Sequence, residues 1–456
     1  MNVIDLKEYM KPGVRGHLVG IGGVSMSPLA EALVVAGLSI TGSDIAESET
    51  VTRLRGMGIP IAIGHRAENI GDAQFIVRTA AARDDNPEII AARAAGIPVF
   101  ERAQAWGFIM QGYENALCIA GTHGKTTTTS MATHILLAAD ADPTVMIGGT
   151  LPKLHAGHRI GKGKVIVLES CEYYNSFHSF FPTVAVILNI ENDHMDFFKD
   201  LDDIKKSFRT FAERVPEDRG CVVANFDDAN TMDALAGISR KVVTFGVTDG
   251  ADVQGIHIVH SGTRSEFDVS YHGENLGRIV LGIPGDHNVL DALAAVASAL
   301  CLNIPFSAAA EGLSEFGGAV RRFERKGSYQ GADIYDDYAH HPSELKALLD
   351  AVDQLDYKRV IMAFQPHTFT RTNEFFDEFA EQLRRPSQLF LTDIYAAREK
   401  NTIGITSEDL ARAIPGASYC KSFGEIIDRV RKMARPGDIV LTVGAGDIYK
   451  VGEAML

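Results

Sequence analysis

Short apolar runs recur along the chain, and most of them end at a segment rich in glycine or in charged residues. Near-continuous apolar runs of this kind are typical of parallel strands that are covered by helices on both faces. These runs predict strands at residues 15–21, 38–41, 75–79, 98–101, 116–120, 164–168, 184–188, 332–335, 359–364, 389–392 and 438–443. Apolar residues at helical spacing predict helices at residues 27–36, 86–95, 130–137, 289–302, 343–355 and 373–383.

Between residues 220 and 285 the pattern changes, because apolar and polar residues alternate there. Alternation indicates strands with one face exposed, so antiparallel strands are predicted at residues 242–245 and 267–271. Together the elements predict an α/β fold in three successive domains. Their predicted bounds are residues 1–110, 111–318 and 319–456.

Residues 121–129, with the sequence Gly-Thr-His-Gly-Lys-Thr-Thr-Thr-Thr, join the predicted strand at 116–120 to a predicted helix. A glycine-rich turn in this context surrounds one anion with backbone N–H groups, and the helix start adds partial positive charge. We therefore predict an ATP site, in which Lys125 reaches the β- and γ-phosphates and the Thr126 hydroxyl ligates Mg²⁺. Ile119 stands where the general pattern has glycine, so a surface turn without a ligand is the alternative. The ATP-binding residues predicted here are Gly121, Thr122, His123, Gly124, Lys125, Thr126 and Thr127.

Glu169 and His194 follow the next two apolar strands of the predicted central domain. In parallel sheets, ligands bind beyond the carboxyl ends of the strands. If the strands are neighbours, Thr126, Glu169 and His194 meet at one edge and form an Mg²⁺ site beside the triphosphate. Each residue also has an alternative role, since Glu169 could cap a helix and His194 could be an ordinary loop histidine.

The first predicted strand, turn and helix form a βαβ opening with Asp44 at the end of the second strand. Gly20 and Gly22 match part of a dinucleotide-binding fingerprint, but Ser25 stands where its third glycine belongs. The site could hold NAD or another nucleotide, and a tight turn without a ligand is the alternative. In the third predicted domain, polar segments follow four strands in the same way, which predicts a charged ligand at one edge of that sheet.

Composition narrows the function. The 456 residues carry a net charge of −15, which argues against a general nucleic-acid binder. Residues 1–8 lack a signal-peptide pattern, and the longest apolar run, near residues 293–302, is too short to span a membrane. The five cysteines show no CxxC spacing, so we expect neither zinc nor disulfides. These features predict a cytoplasmic enzyme with reduced thiols.

Five motifs occur in an order that resembles the Mur ligase family, which builds the peptide of the bacterial cell wall. They lie at residues 121–126, 192–196 (Asn-Asp-His-Met-Asp), 285–288 (Gly-Asp-His-Asn), 321–324 (Arg-Arg-Phe-Glu) and 336–342 (Asp-Asp-Tyr-Ala-His-His-Pro). The resemblance covers essentially the whole chain. It implies a Rossmann-like N-terminal domain, a central P-loop ATPase-like domain with a mixed sheet, and a Rossmann-like C-terminal domain. Residues 20–26 and 364–372 are most similar to the members that add L-alanine to UDP-N-acetylmuramate.

The resemblance implies a role for each matching residue, with ATP and Mg²⁺ as cofactors and with Lys125, His194 and Arg322 as catalytic residues. Arg322 would contact the γ-phosphate, and Thr126, Glu169 and His194 would bind the metal. The other implied contacts are Gly22, Gly23, Ser25 and Met26 with the diphosphate of the UDP-sugar, Asp44 with uracil, Asn288 with adenine, Asp337 and His340 with ATP, and His367 and Arg371 with the L-alanine carboxylate. Two departures are notable: residues 170–174 are less acidic than in many such members, and Thr368 stands where many have arginine.

The expected activity is an ATP-dependent ligation of L-alanine to the lactyl carboxylate of UDP-N-acetylmuramate through an acyl phosphate, in peptidoglycan precursor synthesis. One alternative is the recycling ligase that adds a whole tripeptide, which would not accept free L-alanine. An NAD(P)-dependent oxidoreductase would leave the phosphate loop unexplained. A non-catalytic nucleotide-binding regulator would have little need of a complete metal site. We expect no nucleic-acid partner and no membrane insertion, and the sequence leaves monomer and homodimer open.

Overall fold

The computed structural model describes residues 8–79 and 81–456. Nearly all of the N-terminal segment judged to lack a signal peptide therefore lies outside the described residues. The described chain forms two compact units. One unit extends to Val253 and also contains Ala294–Gly312, and the other contains Gln254–Leu293 and Leu313–Leu456. Three successive regions contain β-sheet, which confirms the predicted α/β fold class.

The first sheet consists of parallel strands in the order β3-β2-β1-β4-β5. Both of its faces are covered, because Leu18 and Phe75 pack into one apolar cluster while their neighbours Val19 and Ile76 pack into another. The strands are β1 Arg15–Val19, β2 Ser39–Asp44, β3 Ile61–Ile63, β4 Phe75–Arg78 and β5 Val99–Glu101. The helices are α1 Ser27–Val35, α2 Glu49–Gly56, α3 Pro87–Ala94 and α4 Arg102–Met110.

A buried polar cluster lies beside this sheet, with the Glu88 carboxylate of α3 at its centre. Glu88 is fully buried. Its carboxylate accepts hydrogen bonds from Ser43 Oγ at 2.6 Å and from Asn69 Nδ2 at 2.5 Å, and it lies 3.2 Å from His65 Nδ1. Burial by itself would raise the pKa of Glu88, but the nearby His17, at 3.7 Å, and the hydrogen bonds from Ser43 and Asn69 outweigh burial and lower the pKa to about 2.

The lowered pKa of Glu88 predicts a loss of stability in acid. Because the folded-state pKa lies below the ordinary value of 4.5, the ionised carboxylate contributes stability above that pH. The contribution is lost as the pH falls from there toward about 2. By linkage it amounts to about 3 kcal/mol at neutral pH. We expect the free energy of unfolding in urea to depend less steeply on pH in Glu88→Gln than in the wild type over this window. Parallel curves for the two proteins would contradict the prediction.

The second sheet of the first unit has the strand order β12-β11-β10-β6-β9-β7-β8. Its strands pair in parallel except β8, which is antiparallel to β7. The strands are β6 Asn115–Ala120, β7 Thr144–Leu151, β8 Ala156–Arg159, β9 Val165–Glu169, β10 Val184–Ile187, β11 Cys221–Asn225 and β12 Val242–Gly246. The helices are α5 Lys125–Ala138, α6 Leu201–Ala212 and α7 Ala229–Ala234.

One strand direction expected from the sequence is wrong in this sheet. The strand predicted as antiparallel at 242–245 is β12, which pairs in parallel with β11. Helix α7 separates the two strands, and such a crossover returns the chain in the same direction.

The expectation of no disulfides is also wrong, because Cys221 and Cys301 form a disulfide although they are 80 residues apart. Cys118 and Cys420 are buried free thiols, as expected, and Cys171 is an exposed one.

The second unit contains two groups of strands. The first lies in the order β15-β14-β13, with β14 and β15 antiparallel, as predicted for residues 267–271. These strands are β13 Val253–Ser261, β14 Arg264–Tyr271 and β15 Glu274–Leu281. The chain continues through α8 Asp286–Cys301 and α9 Phe306–Ser314.

The second group is a six-stranded sheet in the order β16-β17-β21-β18-β19-β20, parallel except for the edge strand β16. The strands are β16 Glu324–Tyr329, β17 Ala332–Asp337, β18 Arg359–Phe364, β19 Gln388–Leu391, β20 Ser418–Tyr419 and β21 Asp438–Val443. The helices are α10 Pro342–Asp353, α11 Phe369–Glu374, α12 Phe376–Leu383, α13 Ser407–Ala413, α14 Phe423–Met433 and α15 Tyr449–Met455. One helix was expected at 373–383, but the helix is interrupted at Phe375, whose φ of −105° and ψ of 31° are not helical.

Among residues 8–79 and 81–456, no helix combines the length and the apolar character that a membrane crossing requires.

Candidate active site

The loop between β6 and α5 has the backbone that a phosphate loop requires. Gly124 precedes the first residue of α5 with a φ of +83°, a left-handed conformation that glycine adopts readily. Gly121 has a φ of +153°, and a Cβ at this position would lie 2.8 Å from the Leu188 Cβ. The loop is held from β10's carboxyl end, where Asn189 Oδ1 accepts a hydrogen bond from the His123 N–H at 2.7 Å. The positive φ therefore favours glycine at both positions, and at Gly121 the limited space requires it as well.

Lys125, the first residue of α5, points back into this loop. Its ammonium group donates to the carbonyl oxygens of Gly121 at 2.5 Å and Thr122 at 3.0 Å. It also lies 3.2 and 3.3 Å from the two carboxylate oxygens of Glu172. Burial by itself would lower the pKa of Lys125, but the carboxylates around it, Glu172 above all, raise the pKa overall. Lys125 is therefore a fixed positive charge at the loop.

Thr126 and Glu169, both predicted from the sequence to hold Mg²⁺, have their side chains side by side. The Thr126 hydroxyl donates to Glu169 Oε2 at 3.0 Å. The same oxygen accepts the backbone N–H of Gly148, on β7, at 2.7 Å. A Cβ at position 148 would lie only 2.3 Å from Glu169 Oε1, so a glycine is needed for the carboxylate to take this place. A hydroxyl and a carboxylate beside a phosphate loop are the donors that Mg²⁺ prefers, so these residues fit such an ion.

His194 lies near the same edge, but its neighbours differ from those predicted. Its Nε2 is 3.7 Å from Glu172 Oε1 and 3.8 Å from Asp193 Oδ2. Its ring stacks on Tyr173 with 4.3 Å between centroids. His194 has a φ of +56°, an uncommon conformation for histidine. The structure thus brings Thr126 together with Glu169, and His194 together with Glu172.

The candidate UDP-sugar residues lie beyond the carboxyl ends of β1 and β2. The Asp44 carboxylate accepts the N–H of Gly22 at 2.8 Å and that of Ile45 at 2.7 Å. Gly23 belongs to the same turn, its N–H donating to the Gly20 carbonyl at 3.1 Å. The turn that the partial fingerprint predicted is thus tied to the acidic residue at the end of the second strand.

Ser25 and Met26 close that turn in different ways. Arg102, the first residue of α4, donates a hydrogen bond to Ser25 Oγ, and Trp106 Nε1 donates to the Ser25 carbonyl at 3.3 Å. The Met26 side chain is buried in the apolar core. Its side chain therefore has a packing role, and only its backbone could contact a diphosphate.

In the second unit, Arg322, Asp337 and His340 lie around Glu344 of α10. Glu344 is 4.0 Å from Arg322 and 3.2 Å from His340 Nδ1. The Asp337 carboxylate accepts the N–H groups of Phe323 and Ala339, each at 2.7 Å. Burial raises the pKa of Asp337 to about 6 although Arg322 opposes it, and burial lowers the pKa of His340 to about 3. Near neutral pH, His340 is therefore an uncharged imidazole.

His367 and Arg371 continue this group along the sheet edge. An Arg371 guanidinium nitrogen lies 3.2 Å from His367 Nδ1. The His367 ring lies 5.6 Å from the His340 ring and stacks on Tyr395 at 5.7 Å. The residues predicted to bind the L-alanine carboxylate therefore lie beside His340, which is predicted to contact ATP. Asn288, near the start of α8, is buried and donates from Nδ2 to the Pro284 carbonyl at 2.6 Å.

Three domain models of one protein family match successive parts of the chain. The model for the catalytic domain of the Mur ligase family matches residues 15–114, the Mur ligase middle domain matches 119–299, and the glutamate ligase domain matches 321–446. A UDP-N-acetylmuramate–L-alanine ligase from Clostridium novyi (strain NT) is 45% identical over 444 residues, which cover 96% of both chains. The chain belongs to the Mur ligase family.

Other relatives of this Mur ligase agree. A UDP-N-acetylmuramate–L-alanine ligase from Caldanaerobacter subterraneus is 44% identical over 458 residues, covering 99% of this chain and 98% of the relative. The crystal structure of a UDP-N-acetylmuramate–alanine ligase from Thermotoga maritima has a TM-score of 0.79 and 28% identity, covering 97% of this chain and 98% of its own. The crystal structure of a murein peptide ligase from Psychrobacter arcticus shares the fold, with 23% identity and a TM-score of 0.71. The match covers 97% of this chain and 98% of that ligase. The family excludes the oxidoreductase alternative.

The sequence analysis of this Mur ligase missed several residues that shape the candidate site. Gly148, Glu172, Asn189, Arg102 and Glu344 were not singled out, although each contacts a predicted residue. Position after a strand was the available signal for three of them. Glu172 follows β9, Asn189 follows β10, and Arg102 follows β5. Gly148 lies inside a strand and Glu344 inside a helix, where nothing in the local pattern distinguishes them.

Proposed function

We propose that this Mur ligase joins L-alanine to the lactyl carboxylate of UDP-N-acetylmuramate, with ATP converted to ADP and phosphate, in the synthesis of peptidoglycan precursors. Its full-length similarity to relatives named for this activity carries the proposal. The arrangement of Lys125, Thr126 and Glu169 supports it, because these side chains supply the groups that phosphoryl transfer requires. We also keep the division into domains at residues 1–110, 111–318 and 319–456 as a proposal, which the three family matches support.

We propose that the chemistry proceeds in two steps. The lactyl carboxylate attacks the γ-phosphorus of ATP, which forms an acyl phosphate and releases ADP. The neutral amine of L-alanine then attacks the acyl carbon, the amide bond forms and phosphate leaves. Phosphate is a far better leaving group than an oxide ion, which is why activation is needed.

The residues contribute mainly by position and charge. Lys125 holds a positive charge beside the phosphate loop, and Arg322 is proposed to neutralise the γ-phosphate. Thr126, Glu169 and His194 are proposed to hold Mg²⁺, which when bound supplies positive charge to the phosphate oxygens. Thr126 and Glu169 already lie within hydrogen-bonding distance of each other, so little reorganisation of their oxygens is required.

We assign the remaining predicted residues to the substrates. Gly22, Gly23, Ser25 and the Met26 backbone are proposed to contact the diphosphate of the UDP-sugar, with Asp44 near uracil. Asp337, His340 and Asn288 are proposed to place ATP. Arg371 is proposed to bind the carboxylate of L-alanine with help from His367, which its guanidinium already contacts.

Phosphate release tests the proposed function directly. The purified protein is incubated with ATP and Mg²⁺, with or without UDP-N-acetylmuramate. Each mixture then receives L-alanine, the recycling tripeptide or neither. We expect release that requires both the sugar nucleotide and L-alanine, with the amide product identified by mass spectrometry. Release with the tripeptide but not with L-alanine would assign the protein to recycling instead. No release with either would refute the proposed function.

A further inference from the structure

Glu172 is a buried carboxylate between two residues of the candidate site. Its exposed fraction is 3%. One oxygen lies 3.2 Å from Lys125 Nζ, and the other lies 3.3 Å from Lys125 Nζ and 3.7 Å from His194 Nε2. An isolated carboxylate is costly to bury, so it must be paired. Glu172 is therefore paired with the lysine of the phosphate loop, and the candidate metal histidine lies nearby.

The contacts of Lys125 use its full donor capacity. An ammonium group has three N–H donors, and Lys125 directs them to two backbone carbonyls of the loop and to Glu172. Lysine is a compact charge on a flexible stem, so its position depends on what holds its end. Here the two carbonyl oxygens and the Glu172 carboxylate together hold the ammonium group in one position.

The segment that carries Glu172 is held tightly. Tyr174 and Asn175 follow it with φ values of +55° and +53°. Such conformations persist only where the surroundings impose them. The Asn175 N–H donates to the Glu172 carbonyl at 2.8 Å, and Asn175 Oδ1 accepts from Ser207 Oγ at 2.5 Å. The next anchor is Phe177, fully buried and stacked on Phe211 at 4.6 Å. The position of Glu172 is thus determined by its backbone.

Glu172 and Glu169 have separate partners although they are three residues apart. Glu169 accepts from Thr126 and from the Gly148 N–H, which places it on the candidate metal side of the loop. Glu172 contacts Lys125 and His194. The distance from Glu172 to His194 Nε2 is 3.7 Å, too long for a hydrogen bond, whereas its distances to Lys125 Nζ are 3.2 and 3.3 Å.

We infer that Glu172 is a positioning residue for phosphoryl transfer, holding the Lys125 ammonium group in its working orientation. The inference rests on the proposed function. Glu172 itself does not contact the reacting atoms. Without its charge, the lysine end can move among rotamers, and misplacement by about 1 Å commonly costs about 10²-fold in rate.

The test compares Glu172→Gln with the wild type in kcat, KM for UDP-N-acetylmuramate, Kd for ATP and Tm. We expect kcat to fall by about 10- to 100-fold while KM and Kd change by less than about 2-fold. Glu172→Asp keeps the charge but withdraws it from Lys125, and we expect a similar fall in kcat. This second variant keeps the inference testable if the glutamine variant does not fold.

Two further measurements separate positioning from simple support of the fold. Glu88→Gln also removes a buried carboxylate that contacts histidine, and we expect it to lower Tm with kcat retained. In a Lys125→Met background, Glu172→Gln should reduce the residual rate by less than about 2-fold, because residues that act as a unit are not additive.

Three results would overturn the inference. They are an unchanged kcat in Glu172→Gln, a fall in kcat that is matched in Glu88→Gln, and tighter ATP binding with kcat retained. The last would mean that Glu172 competes with phosphate for Lys125. An inactive wild-type protein would instead refute the proposed function, so the two failures are distinguishable.

Discussion

Replacing Lys125 with methionine is expected to lower kcat by about 10³-fold or more, the largest effect we predict in the first unit. Methionine keeps most of the apolar stem and removes the charge that faces the phosphate loop. One donor aimed at developing charge commonly contributes about 10²–10³ in rate, and Lys125 is also proposed to neutralise phosphate in the ground state. Phosphate release under saturating substrates measures the effect on kcat, and calorimetric titration measures the Kd for ATP.

The same substitution also tests the ion pair with Glu172. Removing Lys125 leaves the Glu172 carboxylate buried without its cation. Such a loss typically lowers the free energy of unfolding by about 3–5 kcal/mol, whereas replacing both partners lowers it far less. We therefore expect Lys125→Met to lower Tm, and Lys125→Met with Glu172→Gln to recover part of that loss without recovering activity. Lys162→Met provides the control, since Lys162 is exposed, and it should keep both kcat and Tm. Normal turnover in Lys125→Met would contradict the assignment of the phosphate loop.

Apolar runs predicted most of the sheets because a strand covered on both faces has few polar positions. Strand ends then predicted which polar side chains meet, and the contact between Thr126 and Glu169 was predicted in this way. The prediction holds because β9 pairs directly with β6 in the sheet. A local pattern was sufficient here, since Glu169 ends β9, Thr126 follows the loop after β6, and the two strands are neighbours.

Other features depend on contacts that the local pattern does not contain. The direction of β12 is set by the α7 crossover rather than by the residues of the strand. The disulfide joins Cys221 and Cys301, which come together only in the folded chain. The place of Glu172 depends on a turn with positive φ at Tyr174, a conformation that tyrosine rarely adopts and that sequence alone does not indicate.

The adjacent arginines Arg321 and Arg322 are expected to respond differently to the same substitution, one losing stability and the other losing activity. Arg321 donates to the Asp336 carboxylate at 2.8 Å and to the carbonyl oxygens of Gly444 at 2.6 Å and Gly446 at 2.9 Å. Arg322 has looser contacts, 4.0 Å to Glu344 and 5.1 Å from its guanidinium carbon to the Tyr338 ring centre. The geometry therefore indicates a structural role for Arg321 and leaves Arg322 available to a phosphate.

We expect Arg322→Lys to lower kcat by about 10²-fold with little change in Tm, because a lysine cannot reproduce the planar fork that binds phosphate. Arg321→Lys should instead lower the free energy of unfolding by about 2–4 kcal/mol. The reason is that Asp336 is almost fully buried, and its pKa is already raised by burial despite Arg321. Measuring kcat and Tm for both variants tests the two roles together, each variant serving as the other's control. If Arg322→Lys retained activity while Arg321→Lys lost it with an unchanged Tm, the roles would be exchanged, and the γ-phosphate contact would belong to the arginine that Asp336 holds.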